Sequence, residues 1–262
     1  MEEKKSYLRY QQKNYGIGFA HNLNSVRILK EIEKNGEGCN LTLQTLDGIM
    51  CHNGEIVKSK YTPVNKTKES FLEEYENCTK KIDNVSRLRP MTLEGCVVRI
   101  SDIIGYIGKD IEDAKRLKMI DISDIPKSIK EVLGTTNNEI MNSIILDIIE
   151  QSYNQSYIQM SDRVYEQVVL LKKFNYENIY KYSTTKEMVK MHRDIFYTLF
   201  DVYMEAIEKN KTSNDIYKVF LNNMSKRYLE STSNPQMIID YFSSMTDNFV
   251  ESQYKKYIRS ET

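Results

Sequence analysis

The chain has 262 residues, enough to bury one substantial core or two small ones, and 40% of them are hydrophobic, which excludes a disordered polypeptide. Lysine plus arginine and aspartate plus glutamate both number 37, a formal net charge of zero with no signal for a nucleic acid or an anionic membrane as partner. Ten glycines and four prolines punctuate the chain too sparsely for an all-β fold, and no apolar run approaches the roughly 18 residues of a membrane span.

In chain order, residues 1–15 are polar and predict at most a short, marginal helix that Gly16-Ile17-Gly18 ends. From His21 to Glu33, Leu23, Val26, Leu29 and Ile32 recur at three-residue spacing, a helical stripe. Asn35-Gly36-Glu37-Gly38 stops it with residues that tolerate left-handed backbone. Asn40 is placed to cap a second helix running towards His52, and 53–66 reads as loop. A charged helix is predicted over 68–81, and Pro90 opens a long one over about 92–118. Further helices are predicted around 137–152, 161–174, 185–209, 213–230 and 235–257, the last started by Asn234-Pro235. The polar stretch 175–187 reads as a bend between two helical lobes. Cys39, Cys51, Cys78 and Cys96 are widely spaced and predict free thiols. The charged N-terminus has no apolar stretch behind it, so the expected location is the cytoplasm.

The 92–118 helix carries the strongest chemical signal. Advancing about 100° per residue, Asp102, Asp113, Tyr106, Arg99 and Asp110 fall within about 80° of one another. Val97, Ile100, Ile103, Ile104, Ile107 and Ile111 occupy a second sector, and Ser101, Gly105 and Gly108 a third, where another helix can come close. Taken alone, such a face is most simply a solvated acidic stripe.

The spacing Asp102-x3-Tyr106-x3-Asp110, inside Val98-Arg99-Ile100-Ser101-Asp102-Ile103-Ile104-Gly105-Tyr106 and Lys109-Asp110-Ile111-Glu112-Asp113-Ala114, resembles the last motif of the HD-superfamily deoxynucleoside triphosphate triphosphohydrolases. Four more segments resemble that family in order. They are Phe19-Ala20-His21-Asn22 with Ser25 and Arg27, Cys39-Asn40-Leu41-Thr42 with Cys39 where leucine is usual, Arg89-Pro90-Met91-Thr92-Leu93-Glu94, and Asp240-Tyr241-Phe242-Ser243-Ser244-Met245-Thr246-Asp247. The resemblance implies an all-α, HD-superfamily-like helical bundle, incomplete at the N-terminus. Residues 1–180 would form a partial HD-type helical core, with 181–262 a C-terminal lobe packed on it. It implies cleavage of a dNTP to a deoxynucleoside and triphosphate, with a divalent metal, Mg or Mn. Asp102 would be a metal ligand, Tyr106 would pack on the deoxyribose, and Asp110 would accept from the 3′-hydroxyl. His21 matches a catalytic histidine that approaches the phosphates, or else is a histidine that caps its own helix.

The family's metal site also needs a histidine and a His-Asp dipeptide. The three histidines here are His21, His52 and His192, and none is followed by aspartate. His52-Asn53-Gly54-Glu55 resembles an H-x-G-E segment but stands in the wrong order, so His52 reads as a helix-end residue and His192 as structural or superficial. One carboxylate alone holds a catalytic metal poorly. The expectation is therefore a C-terminal portion of a triphosphohydrolase-like protein, inactive alone, which forms a homo-oligomer or joins a separate N-terminal polypeptide through residues 1–35. A non-catalytic nucleotide-binding or oligomerisation module is the alternative.

Overall fold

A computed structural model of the protein describes residues 19–53, 56–180 and 186–258. The expected helix within 1–15, the break at Gly16-Ile17-Gly18 and most of a contact through residues 1–35 lie outside those residues, as does 181–185 of the polar stretch. Among the described residues the fold is all-α apart from one two-residue antiparallel ladder that pairs Lys60 with Gln159 and Tyr61 with Ile158. No helix among the described residues is long and apolar enough to cross a membrane.

The chain divides into two compact units, one made of Thr42–Thr184 and the other of the segments before and after it. The second boundary coincides with the polar stretch 175–187. The first does not follow the expected 1–180 and 181–262 division, because residues 19–41 pack with the C-terminal segment.

In the Thr42–Thr184 unit, helix Leu93–Arg116, hereafter the aspartate helix, packs against helices Leu43–Cys51, Asn137–Ser152 and Asp162–Asn175. Ile100, Ile103, Ile107 and Ile111 of that helix meet Ile129, Leu133, Ile140, Ile144, Val168 and Leu171 in one buried cluster. The expected helix limits hold to within two residues for Lys68–Lys80, Leu93–Arg116, Asn137–Ser152 and Asp162–Asn175. Their starts are fixed by hydroxyl caps at Thr67, Thr92, Thr136 and Ser161, each accepting from a backbone N–H. The second helix is capped by Thr42 and not by Asn40, since Thr42 Oγ1 accepts from the Thr45 N–H.

In the other unit, helix His21–Arg27 runs into a π turn, Ile28–Ile32. The turn that follows is left-handed, with φ of +59° at Asn35 and +89° at Gly36, as the Asn-Gly pair predicts. The Asn35 carbonyl accepts from the Ser225 N–H at 2.7 Å, and Ser225 also caps helix Lys226–Ser231. This anchor splits the helix expected over 213–230 into a π turn, a 3₁₀ turn and Lys226–Ser231. The expected 235–257 helix is likewise two, Asn234–Ser243 and Asp247–Ile258, and the cap position of the first is Ser233. Tyr203, Tyr228 and Tyr241 are fully buried among Leu199, Ile216 and Ile238.

One ion pair organises this unit. Asp240 is completely buried, and Arg27 grips it through two 2.7 Å hydrogen bonds, Nε to Oδ1 and Nη2 to Oδ2. Tyr228 donates to Oδ2 at 2.7 Å and Gln236 to Oδ1 at 2.8 Å, so both carboxylate oxygens are saturated. Two of the sequence segments singled out above, 19–27 and 240–247, are thus joined by a buried bidentate contact. Removing one partner of such a pair leaves an uncompensated buried charge. Arg27→Ala is therefore expected to cost on the order of 3–5 kcal/mol in urea unfolding. A loss below about 1 kcal/mol, the scale of a surface ion pair, would contradict the assignment.

Candidate functional site

Burial of the isoleucines decides which way the aspartate helix faces. With Ile100, Ile103, Ile104, Ile107 and Ile111 in the core, Asp102, Tyr106 and Asp110 fall four residues apart along a face flanking that core, each half-buried. Two members of the expected face depart from it. Arg99 is only 3% exposed, and its Nη1 donates to the Leu88 carbonyl at 2.5 Å, so the guanidinium is committed to the segment leading into the helix. Asp113 pairs with Lys109 at 3.3 Å and Arg116 at 3.1 Å on its own helix. Val97, placed in the apolar sector, sits at that sector's edge and is 45% exposed.

The start of the helix is held by a network that sequence reasoning did not find. Asp47 is buried in helix Leu43–Cys51, where its Oδ1 accepts from Lys66 Nζ at 2.6 Å and its Oδ2 from the Met91 N–H at 2.6 Å. Lys66 is itself buried and also pairs with Glu74 at 2.6 Å. Met91 immediately precedes the Thr92 cap, so Asp47 fixes where the aspartate helix begins. The available signal was an aspartate inside the apolar run Leu46 to Met50, but its partner lies 19 residues away. Burial pushes the neighbouring Cys51 thiol well up, so Cys51 stays protonated and inert.

The middle of the helix is held from two sides. Gly108 faces Asn137, the first residue of helix Asn137–Ser152, and a Cβ there would stand 2.6 Å from Asn137 Oδ1. The close helix approach expected at Gly105 and Gly108 is therefore present at Gly108 alone, for a Cβ on Gly105 meets nothing within 4 Å. On another side, Asn175 Nδ2 donates to the Ile107 carbonyl at 3.0 Å. The chain then makes a π turn, Tyr176–Tyr180, that delivers the Tyr180 hydroxyl to Asp110 Oδ2 as a hydrogen-bond donor.

These contacts set the charge state of the face. Burial raises the Asp110 carboxyl above the usual carboxylate range, the Tyr180 hydrogen bond pulls it back, and the charge of Asp113 adds to the rise. Burial raises the Tyr180 hydroxyl too, and its bond to Asp110 and the proximity of Tyr106 raise it further, so Tyr180 remains a donor. Asp102 has no hydrogen-bond or ion-pair partner among the described residues.

The remaining candidates lie elsewhere. His21 is the first residue of its helix, exposed, and belongs to the other unit; the cap position is Ala20. His52 ends its helix with Nδ1 2.6 Å from the Ile49 carbonyl, and His192 is exposed on helix Lys186–Glu208. No three His, Cys, Asp or Glu side chains among the described residues stand together so as to hold a metal ion. The described donor set therefore does not make a complete metal centre.

Residues 158–256 match the family described as phosphohydrolase-associated domain. The chain is also similar to deoxyguanosinetriphosphate triphosphohydrolase-like proteins. The protein from Clostridium tetani is 30% identical over 237 residues, covering 88% of this chain and 57% of the relative. Those from Caldanaerobacter subterraneus subsp. tengcongensis and Clostridium perfringens strain 13 are 27% and 28% identical, each over 91% of this chain and 58% and 60% of their own length. The chain thus spans less than two thirds of the length of these relatives.

Two outcomes follow from the packing and charge of the helix. Gly105→Ala should stabilise the protein by up to about 1 kcal/mol, because alanine is the better helix former and meets no neighbour. Gly108→Ala should destabilise it, because the Cβ displaces Asn137; equal melting temperatures for the two variants would contradict the close approach. For Asp110, a folded-state pKa above the unfolded value means that ionisation favours the unfolded chain. That cost is absent below the ordinary carboxylate pKa and present in full above the raised one. Asp110→Asn, which keeps an acceptor for Tyr180, should match the wild type in strong acid and become relatively more stable as pH rises through that window. A relative loss of stability over the same window would contradict the assignment.

Proposed function

We propose that the chain is a dGTPase-like protein of the HD superfamily, as its similarity to deoxyguanosinetriphosphate triphosphohydrolase-like proteins supports, and that the Asp102, Tyr106 and Asp110 face of its aspartate helix binds the deoxyribose end of a deoxynucleoside triphosphate. The observation that carries this reading is the shared orientation of the three side chains at four-residue spacing, half-buried, over a helix whose other side is locked in the core. An aromatic ring beside a carboxylate suits a sugar: Tyr106 offers an apolar surface to the ring carbons, and ionised Asp110 accepts a hydrogen bond from the 3′-hydroxyl. Asp102, one helical turn before Tyr106, is then on the side towards the phosphates.

Hydrolysis needs more than this face supplies. A divalent metal, Mg or Mn, would polarise the α-phosphate, and Asp102 would contribute one ligand to it. The other ligands would come from outside the described donor set, as a further copy of the chain or a separate N-terminal polypeptide would supply them. His21 belongs to the other unit and is given no part in this face. In this reading the chain handles dNTPs but does not turn them over alone.

Isothermal titration of the chain with dGTP tests both parts. Binding is expected, and Tyr106→Ala and Asp110→Ala should each weaken it about tenfold or more, the worth of one charge-assisted hydrogen bond or one buried aromatic contact. Triphosphate release with Mg²⁺ or Mn²⁺ should stay below about 0.1 s⁻¹, under the common enzymatic range. Absence of dGTP binding, or binding indifferent to both substitutions, would overturn the assignment of the face. Faster turnover would overturn the need for outside ligands.

A further inference from the structure

Asp110 is held by more than its own helix. The Asp162–Asn175 helix is anchored to the aspartate helix by the Asn175 bond to the Ile107 carbonyl, three residues before Asp110. The π turn that follows is closed internally by Asn178 Nδ2 donating to the Phe174 carbonyl at 2.9 Å. Together these fix where Tyr180 emerges, and its hydroxyl donates to Asp110 Oδ2. An ionised carboxylate accepts at two oxygens with about four lone-pair directions, so one phenol donor orients it without exhausting it.

We propose that Tyr180 is a positioning residue for the sugar-binding carboxylate, a donor that keeps Asp110 ionised and turned so that it can accept a second hydroxyl, that of the ligand. This rests on the reading of the Asp110 face given above. The groups that bear on the Asp110 carboxyl are few. Asp113 on the same helix opposes its ionisation, Tyr180 favours it, and Tyr106 acts through Tyr180. The nearest cation in sequence, Lys109, is engaged by Glu112 and Asp113. Among the described residues, Tyr180 is thus the group that favours the charged form of this half-buried carboxyl. The consequence for recognition is specific. A ligand that offers a hydroxyl at the sugar's 3′ position gains from Asp110, and one without it does not, because a site built to accept a hydrogen bond discriminates by leaving its acceptor unpaired.

Tyr180→Phe removes one oxygen from a side chain that is 39% exposed, and so isolates the contact with little effect on packing. The first readout is the ¹³C titration of the Asp110 carboxyl in full-length protein, assigned by its disappearance in Asp110→Asn. It should move to higher pH in Tyr180→Phe; an unchanged titration overturns the proposal whether or not nucleotide binds. The second is the affinity ratio of dGTP to 2′,3′-dideoxyguanosine triphosphate. The wild type should prefer dGTP about tenfold or more, and Tyr180→Phe should lose most of that preference, more completely at mildly acid pH. A wild type that binds both equally overturns the role of Asp110 and this proposal with it. A wild-type preference kept intact by Tyr180→Phe overturns the role of Tyr180 alone. A chain that binds neither overturns the nucleotide reading, and the carboxyl titration still decides whether Tyr180 governs Asp110.

Discussion

The structure of the Thr42–Thr184 unit turns on one constraint, the burial of five isoleucines along a single 24-residue helix. A helix has only one rotation about its axis that puts Ile100, Ile103, Ile104, Ile107 and Ile111 into the same core. Once that rotation is fixed, the directions of Asp102, Tyr106 and Asp110 are fixed with it. The neighbouring contacts then set its position along the axis. Asp47 holds the residue before the Thr92 cap, Asn137 sits against Gly108, and Asn175 grips the Ile107 carbonyl. Sliding or turning the helix would break the Asp47 or Asn175 hydrogen bond, each costly to leave unmade, or lose the close fit of Gly108 on Asn137. The candidate site is therefore placed by the core and not by its own interactions.

The other unit is organised differently. Its stripe of Leu23 and Val26 is buried, but the specific joint between its N-terminal and C-terminal segments is polar, the Arg27–Asp240 pair with Tyr228 and Gln236. Saturation of both carboxylate oxygens is what makes a fully buried aspartate tolerable. Apolar contacts between these segments set the affinity of one for the other, and the bidentate pair sets their register.

What could be read from the sequence followed from local rules. Hydrophobic period three to four located the helices, and the helical wheel separated the isoleucines from Asp102, Tyr106 and Asp110. Partners distant in sequence were not legible by these means. Arg99 fell on the polar side of the wheel, yet the carbonyl of Leu88 draws it under cover. Lys66 lies in a segment that reads as plain loop, and Tyr180 in a polar stretch that reads as a bend. Each acquires its role only when tertiary packing brings it to Asp47 or Asp110. The helix split near 225 was missed for the same reason. Ser225 is pinned by Asn35, 190 residues earlier, a contact that no periodicity foreshadows.

The claim on which the functional account rests is that a deoxynucleotide sugar lies on the Asp102, Tyr106 and Asp110 face. A crystal structure of the chain grown with dGTP tests it most directly. The account predicts the deoxyribose against the Tyr106 ring, its 3′-hydroxyl within hydrogen-bond distance of Asp110, and the phosphates extending towards Asp102. A nucleotide bound on any other surface of the chain, with Asp110 contacted by Tyr180 alone, would contradict it.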